Sequence, residues 1–121
     1  MASARRKTVL VVDDDDAKRY SLSRAVALGG YEPREATSGI EALDLLDDVS
    51  AVVLDVHLPD LHGFEVCARI RQRHPGLPVV HVSSVFVEDP YPLAGQFAGA
   101  NHYLVPPFEP SVLIELLDRL A

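Results

Sequence analysis

One cysteine in 121 residues, Cys67, leaves no partner for an internal disulfide and suits a reducing compartment. Basic residues are scarce too: eleven against eighteen acidic ones, a formal charge of -7. A nucleic-acid reader carries a basic surplus or stripe, so direct nucleic-acid binding by this chain is not expected. No apolar run approaches the roughly 20 residues that span a bilayer, and no membrane partner is expected. Arg5-Arg6-Lys7 is followed by only four apolar residues, Val9 to Val12, before Asp13. That is too short for a signal-peptide core. Internal repeats, low-complexity tracts and linkers are also missing. What is present, 48% hydrophobic and 24% charged residues, is the composition of a soluble globular protein. The length allows one domain, residues 1–121 with 1–6 as an N-terminal arm. The chain reads as cytoplasmic.

Short β-rich runs alternate with stretches of helical period. Val9 to Val12 is a continuous aliphatic run, the mark of a strand buried on both faces. Asp16 to Gly29 predicts a helix with Tyr20, Leu22, Ala25, Val26 and Leu28 on one face, stopped by Gly29-Gly30. Tyr31 to Ala36 predicts a second strand, and Pro33 within it argues for a sheet edge. Thr37 or Ser38 caps a helix carrying Ile40, Leu43, Leu45 and Leu46. Ala51 to Val56 is a third strand, Phe64 to Ile70 belongs to a third helix, and Val79 to Ser83 is a fourth strand. Pro90, Pro92 and Gly95 leave room for only a short or irregular helix between Val85 and Ala98. His102 to Val105 is the last strand, and Val112, Leu113, Leu116, Leu117 and Leu120 mark a closing amphipathic helix. Five strands alternating with five helices predict an α/β fold, a parallel sheet covered on both faces.

In such sheets functional groups gather at the carboxyl ends of the strands. The first strand ends in Asp13-Asp14-Asp15-Asp16, the third in Asp55 and the fourth in Ser83-Ser84, so Asp13, Asp14 and Asp55 are expected to converge. Asp15 and Asp16 read instead as a solvated helix start, where carboxylates favour the helix dipole. Clustered carboxylates raise one another's pKa unless a cation intervenes. A hard divalent ion, Mg²⁺ or Mn²⁺, suits a few carboxylate oxygens plus water. A carboxylate beside such an ion acts as a nucleophile toward phosphorus and forms an aspartyl phosphate.

The segments VLVVDDDD (Val9 to Asp16), VVLDVHLPDLHG (Val52 to Gly63), PVVHVSS (Pro78 to Ser84) and GANHYLVPPF (Gly99 to Phe108) resemble the receiver domains of two-component response regulators. The resemblance covers nearly the whole chain. It implies a doubly wound (βα)5, flavodoxin-like and CheY-like fold with strand order 2-1-3-4-5. It implies Asp55 as phosphoacceptor, and Asp13, Asp14, Asp55 and the backbone carbonyl of His57 as ligands of Mg²⁺. Ser83 matches the hydroxyl that turns toward the phosphoryl group, and Tyr103 the aromatic that moves with it. Pro59 and Gly63 match the loop around the acceptor. The implied partners are a histidine kinase or histidine phosphotransfer protein and a downstream protein or effector domain. The protein is then a phosphoacceptor rather than an enzyme, with at most slow self-phosphorylation from small donors and self-dephosphorylation.

One departure stands out. The family carries Lys-Pro-Phe in the fifth-strand region, and this chain carries Pro106-Pro107-Phe108. Pro106 supplies neither charge nor a backbone N–H. Three carboxylates and a divalent ion leave a net charge of minus one, and phosphorylation adds about one more negative charge. A lost cation at about 4 Å costs on the order of 4 kcal/mol at an effective dielectric of about 20, before screening. Weakened or altered switching is expected. Lys18 and Arg19 are poor candidates to replace the lysine, because basic residues there usually point elsewhere in the family. The Pro106–Pro107 bond is expected to be cis, like the family's Lys-Pro bond.

His57, His62, His74, His81 and His102 lack any tight metal-ligand spacing and read as surface or packing residues. His57, two residues after Asp55, is placed to modulate water access to an acyl phosphate, with a pH-sensitive lifetime as the consequence. Cys67 reads as an inert core residue. Arg69, Arg71 and Arg73 give their helix a basic end. The prolines between Val85 and Gly95 suggest an altered partner surface, with a homodimer among the partners considered. Two other readings compete. One is a pseudo-receiver acting as a phosphorylation-independent interaction module. The other is a phosphatase with an aspartyl nucleophile on the first strand, disfavoured by Ala17 and by the lack of a cap domain.

Overall fold

A computed structural model describes residues 6–83 and 100–121. In chain order these form β1 (Thr8–Val12), α1 (Asp16–Leu28), β2 (Glu32–Ala36), α2 (Gly39–Leu43), β3 (Val49–Asp55), α3 (Gly63–Arg73), β4 (Val79–Val82), β5 (His102–Leu104) and α4 (Pro110–Leu120). The irregular helix expected between Val85 and Ala98, and Ser84, lie outside the described residues. All strand pairs are parallel and the order is β2-β1-β3-β4-β5. Pro33 therefore sits on an edge strand, where its missing N–H costs no ladder bond.

The strand pleat sorts the core into two clusters. Leu10, Val12, Val52, Leu54 and Val79 pack against Ala42, Leu43, Val66, Cys67 and Ile70, on the side of α2 and α3. Val9, Val11, Ala51, Val53, Val80 and Val82 pack against Val26, Leu113, Leu116 and Leu117, on the side of α1 and α4. Alternate residues of each strand thus serve opposite faces, which explains why the strands read as unbroken aliphatic runs.

Asp15 caps α1 by accepting from the Lys18 N–H at 2.8 Å, and Asp16 pairs with Arg19 at 2.6 Å. Both acids therefore work at the helix start, as expected. The apolar face predicted for α1 needs correction. Val26 is buried, but Tyr20 and Leu28 are 64% and 78% exposed. Each lies two residues from a core-facing position, and a step of two on a helix leads to the far side. Val112 in α4 is exposed too, one residue and about 100° around the helix from buried Leu113.

α2 is shorter than expected. It ends at Leu43, with Ile40 exposed within it and Leu45 and Leu46 beyond its end. The Arg34 guanidinium, reaching from β2, donates to the carbonyls of Leu45 and Asp47 at 3.0 and 2.7 Å, and so supports a non-helical turn. At its other end Ser38 caps α2, and both oxygens of Asp60 accept the N–H groups of Ile40 and Gly39 at 2.8 Å. Those donations, with that of Leu61, hold the Asp60 carboxyl below its usual pKa.

Cys67 is fully buried in the α2/α3 cluster, and burial pushes its thiol up to about 11. A thiol reagent such as 5,5′-dithiobis(2-nitrobenzoate) is expected to leave the native protein unlabelled and to react once denaturant opens that cluster. Fast labelling of the native protein would refute this. Among the described residues no helix is long and apolar enough to cross a membrane.

Candidate functional site

Register brings the acids together. β1 and β3 pair Val12 with Leu54, so Asp13 and Asp55 are each one residue further on, side by side at the carboxyl edge. By strand alternation both continue the row of Val11 and Val53, toward α1 and α4. Asp13 is 2% and Asp55 7% exposed, while Asp14 is exposed. One carboxylate oxygen from each of the three lies within 4.8 Å of the others.

Electrostatics follow from this crowding. Burial, then the charge of Asp13, pushes the Asp55 carboxyl up to about 6, against the opposing pull of the His57 backbone N–H and of Lys18. Burial likewise raises Asp13, opposed by the Asp15 N–H, which donates to its Oδ1 at 2.9 Å. These acids hold their charge at a cost that a divalent cation would remove. The donor set is all carboxylate oxygen, which suits a hard ion such as Mg²⁺. Within the described residues the site thus fits the ion that the resemblance implies.

The loop after β3 is held close. The Gly63 N–H donates to the Val56 carbonyl at 2.7 Å, and His57 bridges to His62. A side chain at Gly63 would fall against the Asp55 carbonyl oxygen and 2.7 Å from Val56 Cα. His62, whose role as a helix cap the sequence did not suggest, accepts the Phe64 N–H on Nδ1 at 3.2 Å. His57 is exposed, with its ring centroid 5.8 Å from that of His62.

Ser83 follows Val82, the β4 partner of Asp55, and is 1% exposed. Its N–H donates to the Leu104 carbonyl at 3.2 Å. Tyr103 pairs with His81 across β4 and β5, with ring centroids 6.1 Å apart. The Tyr103 hydroxyl is buried and meets no hydrogen-bond partner among the described residues. His81 is fully buried, with Nδ1 3.3 Å from the Leu54 carbonyl and its pKa lowered by burial to about 4. It is a neutral packing residue, as expected.

A cleft of about 350 Å³ opens beside the acids. One wall is α1 and the other is Pro106-Pro107-Phe108, with Asp13 and Asp55 among its lining residues. The Pro106–Pro107 peptide is cis, as expected. Arg19 turns away, bound to Glu35 at 2.8 Å, to Asp16 and to the Asp13 carbonyl. Lys18 differs from expectation: it lines the cleft. Its sequence position held the signal, since it falls one helical turn before Leu22, itself on the inward side.

The family model described as "Response regulator receiver domain" matches residues 9–118. The chain belongs to that family. It is 44% identical over 114 residues to the "Response regulator MprA" of Mycobacterium sp. (strain KMS), covering 93% of this chain and 48% of that protein. It therefore spans about half the length of the curated relatives it matches. A putative response regulator from Chloroflexus aurantiacus superposes with a TM-score of 0.89 at 36% identity, covering 96% of this chain and 98% of the other. The structure titled "BeF3 Activated DrrB Receiver Domain" gives 0.88 at 29% identity, covering 96% and 97%. This receiver domain is a phosphoacceptor of two-component signalling by family, and the pseudo-receiver reading is not favoured. Receiver domains bind Mg²⁺ through acidic residues of the kind gathered here.

Proposed function

We propose that Asp55 is the acceptor, that residues 1–121 make up one receiver domain with 1–6 as an arm, and that the phosphoryl donor is a histidine kinase or a phosphotransfer protein. The convergence of Asp13, Asp14 and Asp55 at the sheet's carboxyl edge carries the reading. An Asp55 carboxylate oxygen attacks phosphorus, forming an O–P bond. The bond from phosphorus to the leaving group breaks, and its electron pair departs with the imidazole or, for acetyl phosphate, with acetate. Asp13, Asp14, Asp55 and the His57 carbonyl would hold Mg²⁺, whose chemistry is to neutralise charge on the transferring phosphoryl oxygens. Without such an ion the charges of Asp13 and Asp14 would repel the incoming phosphoryl group. The Ser83 hydroxyl turns to donate to a phosphoryl oxygen, and Tyr103, whose hydroxyl lacks a partner among the described residues, moves with it. A downstream effector reads that change.

Incubating the protein with acetyl phosphate and Mg²⁺, then measuring intact mass, tests the reading. One phosphoryl adduct per chain is expected, and none once the divalent ion is chelated. If neither acetyl phosphate nor a cognate kinase gives an adduct, the protein is a phosphorylation-independent interaction module. Continuous turnover of a phosphate ester would mark a phosphatase instead.

A further inference from the structure

We propose that Lys18, on the first turn of α1, is the cation that contacts the phosphoryl group on Asp55, acting across the cleft from the uncharged Pro106 wall. The inference rests on Asp55 being the acceptor. It starts from charge. Three carboxylates with oxygens within 4.8 Å of one another leave a negative surplus even beside a divalent ion, and a phosphoryl group deepens it. Among the described residues lining the cleft, Lys18 is the one cation. Asp13 and Asp55 line the same cleft, and the charge of Lys18 pulls both of their pKa values down.

The neighbouring basic residue is spoken for. Arg19 is held on the β2 side by Glu35, Asp16 and the Asp13 carbonyl, with its side chain 14% exposed. Lys18 is exposed at the cleft mouth, where a flexible stem brings an ammonium to a phosphoryl oxygen without burying it beforehand. A cation in a helix's first turn opposes the helix dipole. The acids of the cleft attract the same charge. Lys18 forms no covalent bond and transfers no proton; it stabilises charge on the oxygens as Asp55 attacks and in the product.

Lys18→Met keeps an apolar stem of similar length and removes the charge. It is expected to slow adduct formation from acetyl phosphate by about tenfold or more, an effect between those of a close ion pair in water and at a protein surface. The same substitution is expected to tighten Mg²⁺ binding by about threefold or more, because a competing cation leaves the field of the acids. Opposite signs on two measurements cannot come from misfolding. Lys18→Arg is expected to keep most of the rate, and the double variant Lys18→Met, Pro106→Lys to recover it from the other wall. If wild type forms an adduct and Lys18→Met forms it as fast, or if its Mg²⁺ affinity is unchanged, the assignment of Lys18 is overturned while the acceptor stands. If wild type forms no adduct from any donor, both fall together.

Discussion

Asp55→Asn is expected to abolish the phosphoryl adduct and, in the same protein, to raise the midpoint of thermal unfolding at about pH 8. The two effects have one origin. The Asp55 carboxyl sits at about 6 in the folded chain and near 3.9 when unfolded. The folded protein thus binds that proton more tightly, and its stability falls as pH rises from about 4 to about 6. Above that window the full cost of a charged Asp55 is present, about 3 kcal/mol. Asparagine keeps the shape and removes the charge, so the cost disappears above about pH 6, and the difference from wild type vanishes below about pH 4. Mg²⁺ neutralises the same charge. It should therefore raise the wild-type midpoint more than that of the variant. Unfolding curves with and without Mg²⁺ across this pH range check the prediction. A variant less stable than wild type at high pH, or an adduct surviving the substitution, would contradict it.

Gly63→Ala is expected to cost about 2–3 kcal/mol, at the upper end for one added methyl in a packed region. Its Cβ would meet the Asp55 carbonyl oxygen and Val56 Cα, both backbone atoms of the strand end that carries the acceptor. A flexible side chain would swing aside, but a strand in the middle of a sheet does not. Either the start of α3 lifts away or the end of β3 shifts, and both move Asp55 relative to Asp13. The Gly63 N–H bond to the Val56 carbonyl is strained in the same displacement. Slower adduct formation should accompany the lost stability. Gly76→Ala, where an added Cβ meets nothing within 4 Å, is the control and should leave the midpoint nearly unchanged. A Gly63→Ala protein as stable and as fast as wild type would show that the loop yields.

Much of this was legible in the residues. Val9 to Val12 and Val52 to Leu54 announce central strands because both faces of those strands are buried. The acid run and Asp55 announce a shared edge because parallel strands bring their carboxyl ends together. Long-range contacts were not legible. Nothing local says that α2 stops at Leu43; Arg34, on another strand, supports the turn beyond it. Nothing local says that Asp60 caps that helix from the far loop. Tyr20, Leu28, Ile40 and Val112 look like core residues by composition and point outward by a helical step. Lys18 is a different case. Its position one turn before Leu22 was visible, but a basic residue beside Asp16 reads first as part of a solvated helix start.

The alternation that divides the core between two helical layers also assigns the acids to one of them. Deleting a single residue from the Val9 to Val12 run would swap the two layers' side chains along that strand and turn the first acid toward Val66 and Ile70. The signalling chemistry is thus carried by strand phase as much as by residue identity. Length changes belong in the turns, such as Gly29-Gly30, where no such parity has to be kept.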